Sequence, residues 1–407
     1  MRKHKSDLVI LFATLGLMVL GLIVIYAIGP MRANVLNNAY GANYDANYFF
    51  IGQLRSVAIS LAAFFLSFKV IPYKYVKKFA KPIIIVALSL STLLWVLSLA
   101  GSSLAKCELG ECRWFNLGFM SFQPAELLKL ALVIYLADFL ARKKEEGTIG
   151  QFREFWLPLI IVAGASLFFV VIAQGDLGTG VAIMAIIFGT LLVAGVPAKQ
   201  YLIMLAVVFT VAIGAVATSS HRMERIYAWL DTIQGAEVTD STYHIENAML
   251  AIGTGGFFGV GIGNSVQATG YLPESINDSV FAIMGETFGF VGLFAIIAVF
   301  GALLIRMLKV ADHTAPPDQR ILVVGVFSWT LAQVAVNIMA MTGLVPVTGI
   351  TLPLLSYGGT SMLFIAFALG LVLQISCYTS REGINHEDIS SRGRLGGSHY
   401  SSRRRRS

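Results

Sequence analysis

Charged residues are scarce in this chain. They make up 13% of its 407 residues, whereas a soluble surface needs about a quarter. Cysteine is scarcer still, with three residues, which excludes a disulfide-rich extracellular scaffold. The same arithmetic excludes disordered chains and nucleic-acid binders, which depend on charge. Hydrophobic residues instead reach 56%, with a mean hydropathy of +0.74. The composition predicts an all-α polytopic membrane protein.

Ten apolar stretches reach the length of about 20 residues that a membrane-spanning helix requires. They cover residues 8–29, 48–68, 82–99, 122–141, 155–173, 177–195, 201–218, 280–304, 321–343 and 354–377. If the N-terminus is cytoplasmic, most of the 30 lysines and arginines fall in cytoplasmic segments, as the positive-inside rule requires. The sequence therefore predicts ten spans with both termini in the cytoplasm.

One connection is long, and the predicted topology places it outside the cell membrane. It covers residues 219–279, and a loop of that length is usually functional or disordered; its varied composition favours function. Residues 1–378 are predicted to form one membrane domain. Residues 379–407, rich in Ser, Arg and Gly, are predicted to be a disordered basic cytoplasmic tail. The tail is either simply solvated or in contact with anionic lipid headgroups.

Several polar residues lie near the predicted outer ends of spans. Glu126 and Lys129 share one helical face, either as an ion pair that fixes packing or as part of a site. Asp176 precedes an apolar run, as a helix N-cap does. Arg222 and Arg225 either clamp a phosphate or anchor the chain at the membrane interface. Asp278 either caps the next helix or is functional, and Glu286 follows about two helical turns later.

A glycine-rich run at 253–265 does not fit a nucleotide-binding loop, because no strand–turn–helix pattern surrounds it. Close backbone packing and a flexible loop both remain open for it. The sequence shows no metal-ligand cluster and no His/Cys dyad. The costly polar groups gather near one face rather than at the bilayer centre. This favours an enzyme that acts on a lipid-anchored substrate over a transporter with midplane sites.

The order of the motifs resembles the SEDS family (shape, elongation, division, sporulation), the membrane peptidoglycan glycosyltransferases FtsW and RodA. The resemblance covers nearly all of residues 8–378 and depends on Arg113-Trp114, Gln123 to Lys129, Asp176 to Thr179, Arg222 to Ile226, Leu272 to Glu274 with Asp278, Pro346 to Gly349, and Leu352 to Gly359. The run from Gly261 to Ser265, followed by Tyr271 to Glu274, is more similar to the division member than to the elongation member. The chain departs from the family pattern at Gly175, Ala268, Ile276, Asn277, Ser279 and Thr287.

This resemblance implies polymerisation of lipid II into glycan strands at the outer face of the bacterial cytoplasmic membrane, at the division septum. Undecaprenyl pyrophosphate would leave, and Asp278 would act as general base. The substrate-binding residues expected from the resemblance are Arg113, Glu126, Lys129, Arg222, Arg225, Glu274, Glu286 and Ser356. The leaving pyrophosphate needs positive charge, either from such residues or from a divalent cation such as Mg²⁺ or Mn²⁺. The implied partners are a class B penicillin-binding protein, which is a transpeptidase, and other membrane proteins of the division machinery.

Three other functions remain open at this point: a lipid II flippase, an elongation polymerase of the RodA type, and a non-catalytic scaffold. Independently of the family, Cys107 and Cys112 lie close together on a connection predicted to be outside. Thiols on the oxidising side tend to pair. We therefore expect either a Cys107–Cys112 disulfide that holds the loop leading into Arg113, or two free thiols.

Overall fold

The computed structural model of the chain describes residues 5–108, 111–116, 118, 121–217, 219–234 and 242–378. Within these ranges the chain forms thirteen α-helices and a three-stranded antiparallel sheet. The helices are α1 (Leu8–Tyr40), α2 (Tyr48–Phe65), α3 (Tyr73–Lys78), α4 (Ala80–Leu99), α5 (Pro124–Glu145), α6 (Leu157–Leu167), α7 (Leu177–Ala194), α8 (Ala198–Ala217), α9 (Ser220–Gln234), α10 (Tyr243–Thr254), α11 (Val280–Asp312), α12 (Pro317–Met341) and α13 (Gly359–Ser376). The strands are β1 (Ala105–Glu108), β2 (Glu111–Asn116) and β3 (Ser121–Phe122). The predicted tail, 379–407, lies outside the described residues.

Each of the ten predicted spans coincides with a helix. Turns of π-helix lengthen α2 and α6, at Leu66–Val70, Phe152–Trp156 and Phe168–Ala173. Among the described residues, eight helices are long and apolar enough to cross a membrane, by length and composition. The two that fall short are α5, which carries charged residues, and α8, whose apolar part is the shorter segment Ala198–Gly214. The predicted membrane character is confirmed, and the count of ten stays a prediction.

Helix α5 lies at the centre of the bundle and explains why charge is tolerated there. Almost every residue from Pro124 to Ala141 is buried, and the helix packs against α4, α7, α12 and α13. Protein rather than lipid therefore surrounds most of its length. A charged side chain on such a helix can find a partner inside the bundle, whereas on a lipid-facing helix it could not.

The glycine-rich run after α10 packs against a break in α11. Gly289 has φ 65° and ψ −166° within that helix, a conformation that essentially only glycine adopts. The break lets the two backbones pair, and the Val260 N–H donates to the Glu286 carbonyl at 2.9 Å. A Cβ added at Gly259 or Gly289 would overlap the backbone of the opposite segment. Of the two interpretations of this run, close backbone packing is confirmed.

Three features of the fold differ from the sequence prediction. Helix α1 continues through Pro30 to Tyr40, well past the predicted end at residue 29. The long connection 219–279 contains the helices α9 and α10 rather than loop alone. The sheet between α4 and α5 was not predicted, because its strands are only two to six residues long and show too few alternations to be recognised.

Candidate active site

Asp278 lies in the loop before α11, and hydrogen bonds to its backbone hold it in place. Asn337 on α12 donates through Nδ2 to the carbonyl oxygens of Asp278, at 2.7 Å, and Ile350, at 2.8 Å. Two residues earlier in the loop, the Ile276 carbonyl accepts from the Tyr357 N–H at 2.8 Å. The position of Asp278 is thus set by α12 and by the segment that leads into α13.

The Asp278 side chain does not cap α11. The N-cap of that helix is Ser279, and no side chain makes a capping hydrogen bond there. Asp278 is only 6% exposed, and its Oδ1 has no hydrogen-bond partner within the described ranges. The capping interpretation is therefore wrong. The carboxylate is buried and has capacity left to bind another molecule.

Burial raises the pKa of the Asp278 carboxyl to about 7, and the negative charge of Glu274 is the second cause. The backbone N–H groups of Asp278 and Ser279 and the Arg225 guanidinium act in the opposite direction, with smaller effect. Desolvation and a like charge both disfavour the ionised carboxylate. A carboxyl group with a pKa near 7 can take up and release a proton at neutral pH, as a general base must.

Arg113 on β2 directs its guanidinium towards the same space as Asp278. Its Nε donates to the Gln174 carbonyl and its Nη2 to the Gly175 carbonyl, both at 3.2 Å. Gly349 marks the space between cation and carboxylate. A Cβ at that position would lie 3.9 Å from Asp278 Oδ2 and 4.0 Å from Arg113 Nη1. Glycine is suited to this position because its φ is 73° and because it leaves the space open.

The two arginines of α9 reach different parts of the bundle. Arg225 donates through Nη1 to the Val347 carbonyl at 3.3 Å, and its positive charge acts to lower the pKa of Asp278. Arg222 donates through Nη2 to the Val171 carbonyl, at the end of the span that contains α6, at 2.5 Å. The structure brings Arg225 to the Asp278 site and holds Arg222 against another helix. A joint phosphate clamp made by the two stays a prediction.

His244 on α10 was not predicted from the sequence, yet it contacts the residue after Asp278. Its Nε2 lies 2.7 Å from Ser279 Oγ, and this hydroxyl donates to the Pro273 carbonyl at 2.8 Å. Because the hydroxyl has one proton to give, His244 must be the donor, through Nε2–H. Burial lowers the pKa of His244 to about 4, with the charge of Arg225 as second cause. The imidazole is therefore neutral at neutral pH, and its hydrogen bond to Ser279 helps to hold the loop that contains Asp278.

Glu126 and Lys129 form a buried ion pair. Lys129 Nζ lies 2.9 Å from Glu126 Oε1 and 5.0 Å from the centre of the Trp329 ring, within cation–π range. Glu126 Oε2 has no partner in the described part of the chain. The pair is therefore part of the packing, as one interpretation predicted, and it also keeps one oxygen available to a bound molecule.

A polar stripe on α12, formed by Trp329, Gln333 and Asn337, links this ion pair to Asp278. The three residues are spaced four apart and so share one helical face. Each has a buried atom without a partner among the described residues: Nε1, Oε1 and Oδ1, respectively. Trp329 contacts Lys129, and Asn337 binds Asp278. Buried polar atoms normally have partners, so the stripe is suited to bind water or a polar substrate group.

Asp176 and Glu274 have local partners. Asp176 caps α7 as predicted, because its Oδ1 accepts from the Thr179 N–H at 2.8 Å. Glu274 pairs with Arg32 on α1 at 3.3 Å and adopts a left-handed φ of 49°. The charge of Glu274 acts on Asp278 by raising its pKa. A direct role of Glu274 in substrate binding stays a prediction.

Glu286 and Ser356 also contact nearby loops in this structure. The Glu286 carboxylate accepts from the Ser265 hydroxyl at 2.5 Å and from the Val266 N–H at 3.0 Å. The Ser356 hydroxyl oxygen accepts from the Leu352 N–H at 2.8 Å. Both side chains hold loops near the site, and their predicted contact with substrate remains untested.

The cation expected from the sequence, Mg²⁺ or Mn²⁺, would need oxygen ligands if the protein itself held it. Within the described ranges, no group of three or more His, Cys, Asp or Glu side chains converges. In the described part of the chain, such a cation would therefore have at most two of these side chains as ligands. A cation carried by the diphosphate of a substrate stays a prediction.

Fold and site together define a multi-pass membrane protein with a buried, titratable carboxylate at one end of its helix bundle. Residues 7–381 match the family described as cell cycle proteins, which comprises FtsW, RodA and SpoVE. Stage V sporulation protein E of Bacillus subtilis is 31% identical over 93% of this chain and 99% of its own length. The probable peptidoglycan glycosyltransferase FtsW of a Geobacter species is 31% identical over 92% of this chain and 98% of its own.

Solved structures show the same fold. A chain from a peptidoglycan synthase complex that coordinates polymerization and crosslinking superimposes with a TM-score of 0.69, at 24% identity, over 91% of this chain and 97% of that one. The rod shape determining protein RodA of Thermus thermophilus gives a TM-score of 0.64 at 24% identity, over 93% of this chain and 98% of that one. The chain therefore belongs to the FtsW, RodA and SpoVE family, and the family predicted from its motifs is confirmed.

Proposed function

We propose that this protein is a peptidoglycan glycosyltransferase that polymerises lipid II at the outer face of the cytoplasmic membrane during cell division. The observation that carries the proposal is Asp278, a buried carboxyl group with an unpartnered oxygen and a pKa raised to about 7, beside Arg113. The FtsW relatives are named as probable members of this enzyme class.

In the proposed reaction, the Asp278 carboxylate accepts the proton of the 4-hydroxyl of the acceptor sugar. The freed oxygen forms a bond to C1 of the donor sugar. The bond between C1 and the phosphate oxygen breaks, and its electron pair leaves with undecaprenyl pyrophosphate. A positioned general base contributes about 10²–10⁴-fold to such a step. Negative charge develops on the leaving diphosphate, and Arg113 and Arg225 supply positive charge on the Asp278 side.

The proposed topology has ten spans with both termini in the cytoplasm. Contacts between connections support it, because groups that touch must lie on the same side of the membrane. On one side, Arg113 contacts Gln174, Arg32 contacts Glu274, and Arg225 contacts Val347. On the other, Asp7 contacts Arg306 and Lys77 contacts Asp318. If α5 did not cross, residues 113 and 174 would lie on opposite sides.

The proposed partner is a class B penicillin-binding protein that cross-links the new strand. Its support is the fold match to a chain of a peptidoglycan synthase complex that coordinates polymerization and crosslinking. The similarity to relatives named FtsW supports the further proposals of location at the septum and contact with other membrane proteins of the division machinery.

A second candidate function is lipid II transport, and the α12 polar stripe favours it. Trp329 lies two helical turns from Asn337, so the stripe extends polar groups about 12 Å along the bundle interior. A transporter needs such an interior path. An enzyme needs only the end of it that holds Asp278.

Purified protein in detergent, supplied with lipid II, separates these functions. A polymerase produces glycan strands without any membrane to cross, and the proposal predicts such strands with the transpeptidase partner present. If no strand forms with or without the partner, and lipid II is translocated in liposomes, the protein is a flippase. A scaffold would support division even when Asp278 is replaced, and an elongation polymerase would polymerise but localise along the cell side.

A further inference from the structure

Glu111 lies beside Arg113 on strand β2, and the proposed reaction gives it no role. Residues two apart on a strand project from the same face, so the two side chains meet. Arg113 Nη2 forms an ion pair with Glu111 Oε2. Both side chains are largely buried, at 15% and 25% exposure, and the pair is therefore held in place more firmly than one at an open surface.

Gly175 provides the space that Glu111 occupies. Its φ is 66°, a conformation that favours glycine, and a Cβ added there would overlap the Glu111 carboxylate. The Gly175 carbonyl is also one of the acceptors of Arg113. This single residue therefore leaves room for the anion and binds the cation.

The hairpin that carries both residues is closed by a disulfide. Cys107 and Cys112 are paired in the β1–β2 register and form the predicted bond. Cys112 lies between Glu111 and Arg113, and alternation along the strand directs it to the opposite face. The disulfide thus fixes the strand from which the ion pair projects.

These contacts leave one edge of the Arg113 guanidinium open. Nε and Nη2 are bound to two carbonyl groups and to Glu111, whereas Nη1 makes no hydrogen bond within the described ranges. Nη1 is the nitrogen that lies 4.0 Å from the Gly349 Cβ position, on the Asp278 side. Because a guanidinium is planar and rigid, fixing two of its nitrogens also fixes the direction of the third.

We propose that Glu111 is a positioning residue that turns the Nη1 edge of Arg113 towards the diphosphate of the polyprenyl-linked donor. This rests on the proposed function, in which such a diphosphate leaves. Glu111 also has an opposing effect, because its negative charge repels a diphosphate. The inference therefore requires that orientation outweigh repulsion, and the two effects predict opposite results when Glu111 is replaced.

Binding of farnesyl diphosphate to the purified full-length protein in detergent, measured by titration calorimetry, tests this. Glu111→Ala should weaken binding about tenfold, because the guanidinium loses its fixed acceptor. Glu111→Gln keeps an acceptor oxygen and should retain most of the affinity. Glu146→Gln is the control, since it removes the same charge from an exposed residue at the far end of α5 and should leave the dissociation constant unchanged. Equal or tighter binding by Glu111→Ala overturns the proposal.

Two further variants test whether Glu111 acts through Arg113 and through the space at Gly175. In an Arg113→Lys background, Glu111→Ala should weaken binding no further, because Glu111 acts through the arginine; additive losses would contradict this. Gly175→Ala should reproduce the Glu111→Ala loss by displacing the carboxylate. If wild type forms no glycan strands but these differences persist, only the proposed function fails. If wild type polymerises lipid II and Glu111→Ala has an unchanged KM, only the positioning role fails.

Discussion

At the scale of single residues, Asp278 is both buried and short of a hydrogen-bond partner on one carboxylate oxygen. Each property costs stability, because an ionised carboxylate loses water and gains little in return. Hydrogen bonds from Asn337 and Tyr357 to the loop backbone nevertheless keep the residue where it is. A group held by its backbone in an unfavourable setting is typical of a functional site.

The rate of polymerisation should rise with pH through about 7, because only ionised Asp278 can accept a proton. The charge of Glu274 is the second cause of the raised pKa, so Glu274→Gln should move the midpoint of this rise to lower pH. Initial rates of strand formation from pH 5 to 9 check both expectations. A profile that is flat in wild type, or unmoved in Glu274→Gln, would refute them.

Asp278→Asn should fold and insert normally but lose about 10²–10⁴-fold in polymerisation. The folded protein holds the Asp278 proton up to a pH of about 7, against an ordinary value of 3.8. The folded state therefore binds this proton more tightly than the unfolded state does. The stability that comes from this tighter binding is complete below pH 3.8 and is lost as the pH rises through 7. Since Asn is never charged, the variant should be at least as stable as wild type at pH 8. Thermal unfolding in detergent measures this, and near-normal strand formation would disprove the base assignment.

Single and double replacement of Glu126 and Lys129 separates a packing role of this ion pair from a role in substrate binding. Lys129→Met alone leaves a buried, uncompensated carboxylate and should destabilise the protein by about 3–5 kcal/mol. Adding Glu126→Gln removes that charge and should recover most of the loss. If the pair also contacts substrate, the stable double variant should still polymerise poorly. Full activity in that variant would leave the pair a packing role alone.

At the scale of elements, the pairing of α11 with the glycine-rich run depends on one residue of unusual conformation. Gly289→Ala should destabilise the protein by about 1–3 kcal/mol, because its φ of 65° disfavours a side chain and the new Cβ would meet the Gly259 backbone. Gly301→Ala in the same helix is the control. Nothing lies within 4 Å of its added Cβ, so the change should be neutral or slightly stabilising. Equal thermal midpoints for the two variants would argue against the packing role.

At the scale of the whole molecule, the ten-span topology can be separated from an eight-span one in which α5 and α8 do not cross. The two differ at the connections after α5, α6 and α7. Ten spans place those after α5 and α7 in the cytoplasm, whereas eight spans place them outside. Cysteines introduced at Gly147 and Gly195 should therefore resist a membrane-impermeant maleimide in intact spheroplasts. A cysteine at Ser102 should react in the same preparation and acts as the positive control. Labelling at residues 147 and 195 would favour eight spans.

Much of the architecture could be predicted because long apolar runs are specific to membrane helices. Asp278 and the buried ion pair could be found because charge beside a span is conspicuous, whereas Arg113 was indicated by the family resemblance alone. Gln333 and Asn337 were missed, although their spacing of four was visible, because neutral polar residues in a helix usually only pack. His244 could not be linked to Ser279 without knowing where α10 lies, since the two are joined by tertiary contact alone.

The double hydrogen bond of Asn337 to Asp278 and Ile350 also has a consequence for the order of events during synthesis. The ribosome releases the loop with the carboxylate well before it makes the residues that hold that loop in place. A nascent chain therefore carries every charged group of the site while lacking the arrangement that makes them work. Activity can begin only when the last helices have entered the bilayer.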